Sequence, residues 1–418
     1  MAAPSRTPAP TTPTRRGVLL GGAAAAGLLA TSAAPAAAAA RSTVPSRTSV
    51  TRGYAFLAER FDQYGSGTQL RVPRSYQGGY FSTPTFDFVS SFAYDDALVV
   101  LAWLAGGAAA DLQRATVLGD ALLYAQANDP LRDGRTRASY QPDPFVTADG
   151  TPQIGSPAAN TGNQAWVGLA LARLFAVTRQ QRFLDGALRS ATWIQERTFD
   201  GVRAPFGYTG GRDGNDVAYA FKATEHNIDV GAFFTMLATL TGDSAWSARA
   251  RTAFAFVASQ QDPGDGHVWT GTDPDGTTTN RFPIPADVQT WAYLATGDPR
   301  YSASLTWVFA NLTASDAGFT GSSYSDADVS KVWFEGSAHL ALAVRARGAT
   351  GDAQRYADLM ASAERAQATA ANGDGRGLVA ASSDGLDTGF GDLYYASLHT
   401  GATAWYLMAA KGYNPFRL

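Results

Sequence analysis

Two glutamates stand at the lip of apolar runs: Glu225 in KATEHNIDVGAFF (Lys222–Phe234) and Glu335 in KVWFEGSAH (Lys331–His339). Burying a carboxylate is costly unless it is partnered, and burial raises its pKa toward the range useful for proton transfer. Taken singly, an acid at a helix start is more often a cap that suits the positive end of the dipole. The pattern recurs, however. Polar groups gather at five further positions in the same local setting or beside it: Tyr94, Asp95 and Asp96; Asn160, Asn163 and Gln164; His226, Asn227 and Asp229; Asp287 and Gln289; and Asp392, Tyr394, Tyr395 and His399. Aromatics accompany them, among them Trp166, Trp269, Trp291 and Trp333. A hollow floored with acids and walled with rings suits a carbohydrate, whose C–H faces stack on aromatics while its hydroxyls take polar partners.

The elements that must position these residues are helices. Past Arg52, apolar residues recur at three- and four-residue spacing and strand-like alternation is scarce. Helices come in couplets, one apolar nearly all round and one amphipathic: DDALVVLAWLAGG with DLQRATVLGDALLYAQAN, then TGNQAWVGLALARLFAVT with QRFLDGALRSATWIQER. The apolar members begin near residues 95, 162, 225, 287, 335 and 392, at intervals of 48 to 67 residues. Such a period calls for a repeat architecture. Gly-Asp turns (Gly242-Asp243, Gly297-Asp298, Gly351-Asp352) mark the joints. The prediction is an all-α, single-domain (α/α)6 toroid or barrel of inner and outer helices, with Arg52–Tyr64 filling the sixth outer slot. A helical bundle or open solenoid is the alternative. Each long polar loop joins an outer helix to the next inner one, so the loops and the polar helix starts share one end of the ring. Loops of this length are usually functional.

Composition narrows the partners. The 33 basic and 36 acidic residues are spread without runs, so a nucleic-acid partner is excluded. There is no cysteine, hence no disulfide, thiolate nucleophile or Cys-based metal centre. The four histidines form no H-x-x-x-H pair, and DPGDG and DPDG read as turns, so neither a metal nor any other cofactor is expected. Residues 1–40 carry Arg15-Arg16, an apolar stretch from Val18 and an Ala38–Ala40 end, the order of a twin-arginine export signal. The expectation is a secreted monomer, not held at the membrane, whose catalytic domain is residues 41–418.

The runs YDDALV, TEHNID, VWFEGSAH and GDLYYASLHTGA, on paired helices behind an export signal, resemble bacterial (α/α)6-barrel carbohydrate-active enzymes of the glycoside-hydrolase type. That resemblance implies hydrolysis of a poly- or oligosaccharide by two carboxyl groups, one protonated and one ionised, in an inverting arrangement. Glu225 is then expected as the acid, Glu335 as the base and Asp96 as its rival. Asp95, His226, Asn227, Trp333, Tyr94, Tyr394, His399 and Trp166 are expected to hold substrate or tune the acid. The competing readings are a polysaccharide lyase or sugar epimerase using His226, Asn227, Tyr394 or His399, and a glycan-binding protein without catalysis. A uronate substrate is disfavoured because the nearest arginines, Arg203, Arg212 and Arg281, fall in loops.

Overall fold

The computed structural model describes residues 45–418; the proposed export signal lies outside the described residues. Among the described residues there are twelve α-helices. They are α1 (Arg47–Asp62), α2 (Ala93–Gly106), α3 (Ala109–Ala127), α4 (Thr161–Thr178), α5 (Gln181–Arg197) and α6 (Thr224–Thr241). The others are α7 (Ser244–Ser259), α8 (Ala286–Thr296), α9 (Ser302–Asn311), α10 (Phe334–Arg347), α11 (Asp352–Thr369) and α12 (Thr400–Lys411). The fold is not strictly all-α, because eighteen short strands of two to four residues knit the loops into small antiparallel pairs and triplets.

The even-numbered helices are the apolar ones. Each packs on the next from α2 to α12, and α12 packs back on α2, so the six form a closed cycle. The odd-numbered helices lie against the outside of their even partners, with α1 against α12 and α2. Five of the six inner helices end on a glycine in the left-handed region: Gly107, Gly242, Gly297, Gly348 and Gly412. Glycine adopts this conformation without a Cβ penalty; α4 ends instead on Arg179 in the same region.

A repeating set of bonds ties each loop to two neighbouring inner helices. The first N–H of α2, α4, α6, α8, α10 and α12 donates to the carbonyl of Ala138, Gly210, Thr270, Tyr324, Ala380 and Ser75 respectively. Two residues earlier in five of these segments, the backbone is gripped by the fourth residue of the next inner helix. Gln164 exchanges bonds with both backbone groups of Thr136, Asn227 with those of Tyr208, and Gln289 with those of Val268. Ser337 and Thr403 accept from the N–H of Ser322 and Leu378. Buried backbone groups in irregular loops need such partners. The chain after α12 turns inward: Phe416 reaches 5.0 Å from the Trp166 ring and 5.8 Å from that of Trp291, while Asn414 Nδ2 donates to Leu294.

Candidate active site

The inner helices start in register, so equal positions along them form layers. The second residues are Tyr94, Gly162, Glu225, Asp287, Glu335 and Gly401; the sixth residues are Leu98, Trp166, Asp229, Trp291, His339 and Trp405. Residues four apart lie on one helix face, so both layers look into the ring, the second above the sixth. The fourth residue points away from that face, toward the loops. The upper layer is thus acid and tyrosine with two glycine gaps. The lower is a floor in which Trp166, Trp291, Trp405 and His339 touch edge-on or stacked at 5.4 to 6.0 Å.

One carboxylate group centres on Glu335. Trp405 Nε1–H donates to Tyr94 Oη at 3.0 Å, and Tyr94 Oη–H donates to Glu335 Oε1 at 2.6 Å. His399, the N-cap of α12, accepts the Ala402 N–H on Nδ1 at 3.2 Å and turns Nε2 to the two oxygens of Asp95, at 3.2 and 3.3 Å. Its Nδ1 is also 3.6 Å from Glu335 Oε2. Tyr76 stacks on the imidazole with ring centroids 4.2 Å apart. A Cβ on Gly401 would lie 2.5 Å from Asp95 Oδ1, so glycine there makes room for the pair. Burial pushes the Glu335 carboxyl up to about 7; Asp95 and Asp287 add to the shift, while His399 and Tyr94 oppose it. For His399, burial disfavours the charge, but Asp95 and Glu335 outweigh it and hold the pKa above its ordinary value.

The second group centres on Glu225. Its side chain keeps 35% of its surface open, against 3% for Glu335, although it sits in the concavity between helix starts. Asp287 on α8 is pushed well above the carboxylate range, by burial first and then by the Glu225 charge; burial raises Glu225 as well, with Asp287 opposing the shift. Asp229, one turn below on α6, is raised by burial and by the same two acids. His226 Nε2 lies 3.3 Å from Glu225 Oε1, and burial lowers its pKa to about 4, so the ring is neutral at ordinary pH. Gly162 gives its ring space, since a Cβ there would meet His226 Cδ2 at 2.4 Å. Tyr324 and Tyr394, with ring centroids 5.7 Å apart, are both raised by the charges of Glu225 and Glu335, in keeping with the shared inward layer of the two glutamates. Six buried polar atoms of the hollow's wall and floor have no partner among the described residues: Asp229 Oδ1, His226 Nδ1, His339 Nε2 and the Nε1 atoms of Trp166, Trp291 and Trp333.

Of the residues singled out from sequence, Glu225, Glu335, Asp95, Tyr94, His226, His399, Trp166, Trp333 and Tyr394 meet at this hollow. Trp333 and Tyr394 stack with centroids 5.9 Å apart. Two others do not join them. Asn227 spends its whole amide on Tyr208 and the Ala223 carbonyl. Asp96 occupies the same outward fourth position, is fully buried and bonds Ser91 Oγ at 2.7 Å. Glu225, expected as the acid, is the more exposed of the two glutamates, with 35% of its side chain open against 3% for Glu335. Sequence reasoning noticed Asp287 and Asp229 at helix starts without assigning them to the site, and missed Tyr76, Tyr324 and Trp405. Aligning the six helix starts would have flagged three of these, as second- or sixth-layer residues; Tyr76 and Tyr324 arrive on loops and carry no periodic signal.

No family model matches the chain, and no curated protein matches its sequence. Solved structures do match in shape. A D-mannose isomerase superposes with a TM-score of 0.63 at 11% identity, covering 89% of this chain and 97% of the other. A cellobiose 2-epimerase from Bacillus thermoamylovorans gives 0.63 at 11%, over 87% and 99%. A family 76 glycoside hydrolase from a bovine Bacteroides thetaiotaomicron strain gives 0.59 at 14%, over 87% and 77%. The fold is therefore that of the (α/α)6-barrel carbohydrate-active enzymes.

Proposed function

We propose that the closed cycle of helices is an (α/α)6 toroid and that the chain is a secreted, monomeric glycoside hydrolase acting on a poly- or oligosaccharide. The observation that carries this reading is the contrast between a sealed Glu335 and a solvent-reached Glu225 on the same inward layer of helix starts. Glu335 is the general acid: Oε1 is held by Tyr94, leaving Oε2 to protonate the departing glycosidic oxygen. Glu225, beside His226 and with the more open side chain of the two glutamates, is the base that takes a proton from the attacking water. The half-buried Tyr394 ring, backed by Trp333, offers a face to the sugar. Asp95 and His399 orient the acid. Action on opposite faces of the ring by separate groups gives inversion. The test is a panel of neutral glycans read by new reducing ends and by the anomer first formed in proton NMR. Glu335→Gln and Glu225→Gln must each abolish cleavage while the protein stays folded; full activity in either overturns the assignment.

One observation favours a second reading. His399 sits between two carboxylates, an arrangement able to move a proton at a sugar carbon, as in an epimerase or isomerase. Conversion of a free sugar to an isomer, with reducing ends constant, would select it. A lyase has less support: among the described residues no arginine or lysine pairs with Asp95, Glu225, Asp229, Asp287 or Glu335 to neutralise a uronate.

A further inference from the structure

We propose that the cleft beside residues 86–92 is a second glycan site, which seats an uncharged stretch of polysaccharide outside the hollow and leads it in. What happens at the hollow rests on the hydrolase reading; binding in the cleft does not. The cleft encloses about 450 Å³, within the roughly 300–1,000 Å³ of ligand pockets. One wall is aromatic: Phe86, Phe88 and Phe92, with Phe88 and Phe92 stacked at 6.1 Å. The other is polar: Ser139, Gln141 and Ser156, whose side chains carry no hydrogen bond to any described residue. An aromatic wall facing free hydroxyls and an amide is the chemistry that holds a sugar by its apolar face and its rim.

Charge and continuity narrow the occupant. The cleft's one ionisable lining residue, Asp87, is paired with Arg74, so nothing there rewards a charged sugar. Phe92 is the N-cap of α2, immediately before Ala93, Tyr94 and Asp95. Tyr76 makes the bridge, edge-on to Phe92 at 6.3 Å and stacked on His399 at 4.2 Å. A chain lying along the cleft therefore meets the Glu335 group at its inner end, and cleavage favours long substrates over short ones.

The experiment is affinity gel electrophoresis of the full protein in yeast mannan, soluble starch and polygalacturonate, with a chain-length series of whichever neutral glycan binds. At least one neutral polymer is expected to retard the wild type and Glu335→Gln equally, and polygalacturonate neither. Phe86→Ala, at a residue already 45% exposed, is expected to weaken retardation about tenfold, with Gln141→Ala acting alike and both melting as the wild type does. Activity on the polymer should fall with it, while activity on the shortest cleaved oligosaccharide stays constant. Retardation by neither neutral polymer, or equal retardation of both variants and the wild type, overturns the cleft site. No new reducing ends from any neutral glycan with the wild type, with the retardation pattern intact, overturns the hydrolase assignment alone.

Discussion

Glu335 joins a hydrogen-bonded chain, Trp405 to Tyr94 to Glu335, that holds one carboxyl oxygen and leaves the other facing His399. As a general acid it must be protonated, so kcat/KM is expected to fall as pH rises through about 7; a profile flat from pH 6 to 9 would refute that role. Glu335→Gln should lower kcat by roughly 10²–10⁴-fold. The same group governs stability with a definite sign. Its folded pKa exceeds that of a free carboxyl, so the folded state holds more protons and stability is lost as pH rises from the unfolded value through about 7. Glu335→Gln should therefore raise the melting temperature at pH 8 and leave it nearly unchanged at pH 4, in thermal scans. Tyr94→Phe removes a bond that lowers the Glu335 pKa, so the alkaline limb of the activity profile should move upward as kcat falls several-fold.

At the level of the element, the fourth residue of each inner helix belongs to the scaffold. Asn227→Ala leaves the Tyr208 backbone pair and the Ala223 carbonyl unanswered and should cost roughly 2–3 kcal/mol, read by denaturant unfolding, with kcat/KM unchanged. Helices were legible because a 3.6-residue apolar period survives any loop: α4 and α5 fall where the pattern places them, and the other starts lie within a few residues. The last inner helix differs. It begins at Thr400 rather than near Asp392, because Leu393–Tyr394 and Leu398–His399 are drawn into strands against Leu386–Asp387, Tyr76–Gln77 and Leu378–Val379. One of those partners, Tyr76–Gln77, lies in another loop and the others lie elsewhere in the same long connection, and local propensity cannot announce them. The site was half legible for the same reason. Acids at helix starts are visible in the chain, but whether a side chain turns inward, as Glu225 does, or outward, as Asn227 does, depends on register within the helix.

Across the whole molecule, α1 rests on α12, so the first and last described helices adjoin. The tail then seals the lower side of the tryptophan floor, with Arg173 and Arg417 fastening it to α4 and α8. Phe416→Ala should destabilise by about 3–5 kcal/mol, with the loss measured by denaturant titration and little change in KM. The arrangement also dictates when the protein can become itself. Without α12, α2 and α10 each present a bare oily flank, so the cycle sheds its adhesiveness only when that helix docks between them.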